Sequence, residues 1–324
     1  MQYGFSIKRK CYLLSVLLMT VWLTGCVQEE FESTPSPAGN GIRFTLTVPD
    51  VNLPSVSSRT MTGTGTAKKE DEIETVDILV FDMSKTPAVF LEWVSATGVT
   101  QDLADNSTVS FSAVLSPTTA STCIVVVANK ELDNIVSGFT KGATTKVEAM
   151  EKMLHTQTGK WLADGSTTGG YTRIPMYGEK VISKITPSMN PITEINMKRM
   201  LARIDIRNNS ATSNFTVEEV YLANYNTTGY IAPAWNTNGQ VTEPAPDTPV
   251  LPTGSGKMTE EGNAILYSVN GNTPYDGEIY TFESLAAGDA GGAGQDGEAS
   301  RKDATCLIVK GKIGTGESTF YRVD

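Results

Sequence analysis

The stretch Ile42-Arg43-Phe44-Thr45-Leu46-Thr47-Val48 sets a large apolar side chain at every second position, with polar ones between them. A period of two places successive side chains on opposite faces of an extended chain. The stretch therefore predicts a half-buried strand, with Ile42, Phe44, Leu46 and Val48 turned inward and Arg43, Thr45 and Thr47 turned outward. Burying the four would contribute about 1.5–3 kcal/mol each, on the order of 6–12 kcal/mol together as an upper estimate. A whole domain is stable by only about 5–15 kcal/mol, so a fold that contains this strand depends on it.

The chain then runs through Pro54 to Lys68, rich in Ser, Thr and Gly, with Arg59 in its middle and no apolar period, and this reads as a long exposed loop. If a trypsin-like protease cut after Arg59, the strand could leave. The vacancy would be an apolar groove with an unpaired sheet edge, which a strand from a neighbouring molecule could fill through main-chain hydrogen bonds and alternate side chains. The plainer alternative is that Arg59 is one surface arginine among many and the first strand stays in place.

Further strands are predicted at Val76 to Phe81, Val109 to Leu115 and Cys123 to Ala128, all rich in Val, Ile and Phe. One helix interrupts them. Thr145 and Glu148 make a capping box, and Val147, Met150 and Leu154 recur at helical spacing, with Met150 and Met153 read as core filling. The composition turns to loop from Met176 to Pro191, which places a domain boundary near Ser183. Beyond it Ala202, Ile204 and Ile206 alternate with Arg203, Asp205 and Arg207, and Phe215 to Leu222, Ala264 to Tyr267, Ile279 to Phe282, Cys306 to Val309 and Thr319 to Val323 continue the series. Many short strands with only one or two short helices predict an all-β protein of two β-sandwich domains, residues 41–183 and 184–324.

Upstream, Lys8, Arg9 and Lys10 precede an apolar run from Tyr12 to Leu23 that ends in Leu23-Thr24-Gly25-Cys26, a lipobox. The run is shorter than the roughly 20 apolar residues that span a bilayer. Residues 1–26 thus read as a lipoprotein signal peptide with Cys26 the acylated residue, and residues 27–40 as a tether. Acyl chains supply about 0.8 kcal/mol per buried methylene, so two or three hold a protein durably on a membrane.

The net charge of −10 and the lack of a basic patch argue against a nucleic-acid partner. Cys123 and Cys306 sit in apolar runs and read as buried thiols, and no cysteine spacing suits a metal. The single histidine, His155, leaves a catalytic triad or His-based metal site little to work with. Gly291-Gly292-Ala293-Gly294-Gln295-Asp296 is half of a calcium-binding repeat in one copy, which reads as a loop. Trp235 reads as a packing anchor before a platform for sugars, and Lys68 to Glu72 as a solvated charge run. No catalytic residue, metal or cofactor is assigned. Two alternatives stay open: a surface glycan-binding lipoprotein, and a secreted hydrolase working with a carboxylate pair.

Several motifs then occur in a telling order: the lipobox, the alternating strand, Ser58-Arg59-Thr60, Glu74-Thr75-Val76-Asp77-Ile78-Leu79-Val80-Phe81-Asp82, Ile174-Pro175-Met176-Tyr177-Gly178-Glu179, Leu201-Ala202-Arg203-Ile204-Asp205-Ile206 and Thr319-Phe320-Tyr321-Arg322-Val323-Asp324. In this order the chain resembles the FimA-like fimbrilins, the type V pilus subunits of anaerobic Gram-negative bacteria. The resemblance implies two transthyretin-like sandwich domains, a precursor lipid-anchored in the outer membrane through Cys26, and a cut between Arg59 and Thr60 by an arginine-specific protease. It further implies loss of the strand Ile42 to Val48, assembly with other fimbrial subunits by donor strands, and attachment to host or bacterial surfaces by the finished fimbria. Members of the family run on past the Tyr-Arg-Val-Asp segment into donor strands, whereas this sequence stops at Asp324. That implies either a truncated product or a subunit that accepts a strand without giving one, and a non-polymerising adhesin or tip subunit stays open as an alternative function.

Overall fold

In the computed structural model of the chain, the residues described are 42–47, 70–101, 108–163, 172–187, 189–206, 214–244, 249–253, 257–258, 264–268, 275–285 and 304–324. The early strands are β1 (Ile42–Thr47), β2 (Val76–Asp82), β3 (Val89–Ser95), β4 (Thr97–Gln101), β5 (Thr108–Ala113) and β6 (Thr122–Ala128). Two short helices follow, α1 (Asp133–Val136) and α2 (Lys146–Lys152), then β7 (Leu154–Thr156), β8 (Met176–Ile182), β9 (Ile192–Asn196) and β10 (Lys198–Arg199). The later strands are β11 (Leu201–Ile206), β12 (Phe215–Ala223), β13 (Tyr225–Asn226), β14 (Thr228–Tyr230) and β15 (Lys257–Met258). The last are β16 (Ile265–Ser268), β17 (Tyr275–Phe282), β18 (Cys306–Ile313) and β19 (Thr319–Val323).

The first core lies between a four-stranded sheet, β4-β5-β1-β9, and a five-stranded sheet, β10-β8-β6-β2-β3. Their burial patterns follow from what covers each face. β1 and β5 alternate between buried and less buried residues because only one face meets the core. β2 and β6 are nearly continuous apolar runs because both faces are covered. Ile78, Val80, Ile124 and Val126 face the four-stranded sheet. Leu79, Phe81, Cys123, Val125 and Val127 pack on the opposite side with α2 and with Ile231, Tyr280 and Phe282.

α2 begins as its sequence predicts: the Thr145 side chain accepts from the Glu148 amide while the Glu148 carboxylate accepts from the Thr145 amide. Its buried face is Lys146, Ala149 and Met150, completed by Met153 at the C-cap, whereas Leu154 belongs to β7.

The later strands form a second sheet, β16-β12-β18-β19, and a pair, β11-β17, around a core of Val217, Val220, Leu222, Tyr267, Ile279 and Leu307. β19 is an edge strand exposed along its whole length, with Phe320, Tyr321 and Val323 open to solvent.

Past Ser183 the chain stays within the first pair of sheets. β9 joins the sheet of β1, β10 joins the sheet of β8, and Ile192, Ile195 and Met197 lie in the same core as Ile42, so the first set of sheets extends to Arg199. Met176 to Ile182, read as loop from composition, is strand β8 paired along its length with β6, and the chain passes from it to β9 inside that set. Residues 40–324 form one compact unit, in which Ile231, Ala232, Tyr280 and Phe282 close the outer face of the five-stranded sheet.

The glycine of the Met176-Tyr177-Gly178-Glu179 motif has a steric reason. A Cβ on Gly178 would lie 2.7 Å from the Met197 Sδ, 2.9 Å from the Ile195 Cγ2 and 3.0 Å from the Asn196 carbonyl oxygen. Gly178→Ala must push β9 off β8 and is expected to lower stability by about 1–3 kcal/mol. Urea titration of the full chain checks this, and an unchanged midpoint would refute the close approach.

Candidate functional site

β1 occupies an interior position in its sheet. On one side it pairs antiparallel with β5 along its whole length, from Ile42↔Ala113 to Thr47↔Thr108. On the other it pairs parallel with β9, through Phe44↔Ile192, Leu46↔Ile195 and Thr47↔Asn196. The Met197 amide donates to the Thr47 carbonyl at 2.9 Å and extends that ladder. Ile42, Phe44 and Leu46 are 4%, 1% and 0% exposed, so the alternation seen in the sequence is realised on the inward face.

The centre of the seat is aromatic. Phe44 and Phe111 stack with ring centroids 5.0 Å apart and planes 7° from parallel. Opposite them β9 carries a bulge: two steps along β1, from 44 to 46, face three along β9, from 192 to 195. Within that interval Glu194 adopts a left-handed conformation, φ +59°, unfavourable for a residue with a Cβ. Lys180 of β8 braces the bulge, donating to the Thr193 carbonyl at 2.6 Å with its ammonium 3.5 Å from the Glu194 carboxylate.

Val48, Cys26, Arg59 and Thr60 lie outside the described residues, as does the glycine-rich segment Gly291 to Asp296. His155 is packed against Trp161 and Phe282, with ring centroids 5.1 and 6.4 Å away, and burial holds its pKa below the usual imidazole range. Trp235 is half-buried edge-on to Tyr230 and belongs to the packing beside the five-stranded sheet. Cys123 and Cys306 are buried and form no disulfide, and burial pushes the Cys123 thiol up to about 12. Among the described residues, no three of His, Cys, Asp and Glu are grouped to hold a metal ion.

Two buried charge clusters were missed by sequence reasoning. Glu70, inside the run read as solvated, is 4% exposed. Arg203 of β11 donates to both of its carboxylate oxygens, at 2.9 and 3.0 Å, and Tyr280 of β17 donates to one of them. Its neighbour Asp71 is paired with Arg199. The second cluster is Lys146, 2% exposed, whose ammonium lies 2.6 Å from Glu179, while the buried Tyr177 hydroxyl donates to the same carboxylate oxygen. The alternation of Arg203 with Ala202 and Ile204 was the available signal for the first cluster. The position of Lys146 on the first turn of an otherwise apolar helix face was the signal for the second.

The described strands that build the seat, from β1 to β10, span the residues matched by one protein family, described as Major fimbrial subunit protein (FimA), over 42–199. Over residues 42–199 the chain is similar to the FimA family. The matched segment begins with β1 and ends with β10, so the match takes in both walls of the seat. Two solved structures are similar in fold. A fimbrial assembly protein from Parabacteroides distasonis is 12% identical, covering 87% of this chain and 85% of its own, with a TM-score of 0.44. The tip fimbrial protein Mfa3 from Porphyromonas gingivalis, with a C-terminal truncation, is 15% identical, covering 87% and 81%, with a TM-score of 0.45. No curated protein matches the sequence.

Proposed function

We propose that this chain is a structural subunit of a cell-surface fimbria, carried to the outer membrane as a lipoprotein through Cys26 and matured by a cut between Arg59 and Thr60. The cut frees the segment that carries both the lipid and β1. A strand of another subunit takes the vacated place, and the assembled fimbria serves attachment.

The observation that carries this reading is the interior position of β1 between β5 and β9. A strand lost from a sheet edge leaves one unpaired edge, but a strand lost from the interior leaves two that face each other across an apolar slot. An entering strand would bond to both and leave no free edge at that place. The family match over 42–199 supports the same reading.

N-terminal sequencing of protein in sheared surface filaments tests it. A start at Thr60 is expected. Filament protein that retains acylated Cys26 and residues 27–59 would overturn the maturation step.

A further inference from the structure

We infer that the β1 seat selects the strand that fills it by an aromatic side chain at the middle inward position, read by the Phe111 ring and fixed in register by the β9 bulge at Glu194. This rests on the reading that β1 is replaced after the cut, and it specifies what can replace it.

The three inward positions of the seat are unlike one another. Position 42 lies opposite Ala113, and position 46 lies between Val109 and Ile195. Position 44 lies between Phe111 and Ile192, and there the two rings stack at 5.0 Å. Phe111 is itself 3% exposed with its face turned to that position, so only a flat ring restores the contact. A leucine at the position would fill much of the volume but lose the stacking.

The walls then exclude other registers. A slip of one residue turns every apolar side chain of the entering strand to the outer face. A slip of two sets the ring against Ala113 or Val109 and meets the bulge at the wrong pair, because β9 spends three residues where β1 spends two. The brace from Lys180 to the Thr193 carbonyl holds the bulge in place whether or not the slot is filled, since it comes from β8 and not from β1. The occupant is therefore an extended segment, antiparallel to β5 and parallel to β9, with aliphatic residues two places on either side of an aromatic one.

The test uses the full chain nicked with an arginine-specific protease and incubated in mild urea with a fluorescent peptide of sequence Ile42 to Thr47. Competitors carry Phe44→Leu, or the same residues with the aromatic moved to the fifth place. The Phe44→Leu peptide is expected to bind about three- to tenfold more weakly, and the moved-ring peptide at least about thirtyfold more weakly. In nicked Phe111→Leu chain the preference for Phe over Leu should fall to within about twofold, since the stacking partner is gone. Uptake of all three peptides with equal affinity would overturn the selection while leaving strand replacement standing. A nicked chain that keeps its own β1 and takes up no peptide would overturn replacement and the selection built on it.

Discussion

Replacing Phe44 by Ala is expected to lower the unfolding free energy by about 3–5 kcal/mol. The ring is 1% exposed and stacks on Phe111, and its strand is flanked on both sides, so the sheet cannot close over the vacancy by moving an edge strand inward. The outward neighbour Thr45 provides the control, since Thr45→Ala leaves the core intact and should shift stability by no more than about 0.5 kcal/mol. Urea titration of the two full-length variants decides the matter, read as a change of midpoint at constant slope. A loss below about 1 kcal/mol for Phe44→Ala would mean that the seat is not organised around this ring. The same variant bears on assembly: a β1 held less tightly should leave a nicked chain sooner, so release and stability should move together.

The inward face of β1 was legible in the sequence because burial on one side imposes a period of two, and that period needs no knowledge of the neighbours. The start of α2 was legible for a related reason, since Thr145 and Glu148 satisfy each other's backbone within one turn. The flanks of β1 were not legible. β9 follows a loop whose Pro- and Ser-containing composition says that the chain turns but not to which sheet it returns, so Ser183 looked like a border while the chain came back to pair with β1. The parallel register with β9 and its bulge depend on contacts between segments far apart in sequence. Charge posed a similar difficulty: Glu70 resembles its neighbours in the run Lys68 to Glu72, and only the return of β11 and β17 reveals it as buried.

That buried carboxylate carries the second large expected effect. Glu70 and Asp71 are the first described residues after β1, and they are held by side chains from strands that follow β9: Arg199, Arg203 and Tyr280. A cut after Arg59 would fall before this clamp, so the clamp would stay with the cut chain and the part set free would end at Arg59. Arg203→Met should cost about 3–5 kcal/mol, because it strands a carboxylate whose side chain is 5% exposed with Tyr280 as its main donor. The cost comes from the unpaired charge more than from the lost attraction, which makes a specific forecast for the double variant. Arg203→Met combined with Glu70→Gln removes the charge that Arg203 answered and should recover at least half of the loss, a coupling visible only in the full cycle. Urea midpoints of the four chains measure it. Strictly additive losses would show that Glu70 and Arg203 act independently, and the post-cut chain would then need another anchor to keep its new N-terminal arm from following β1 out of the sheet.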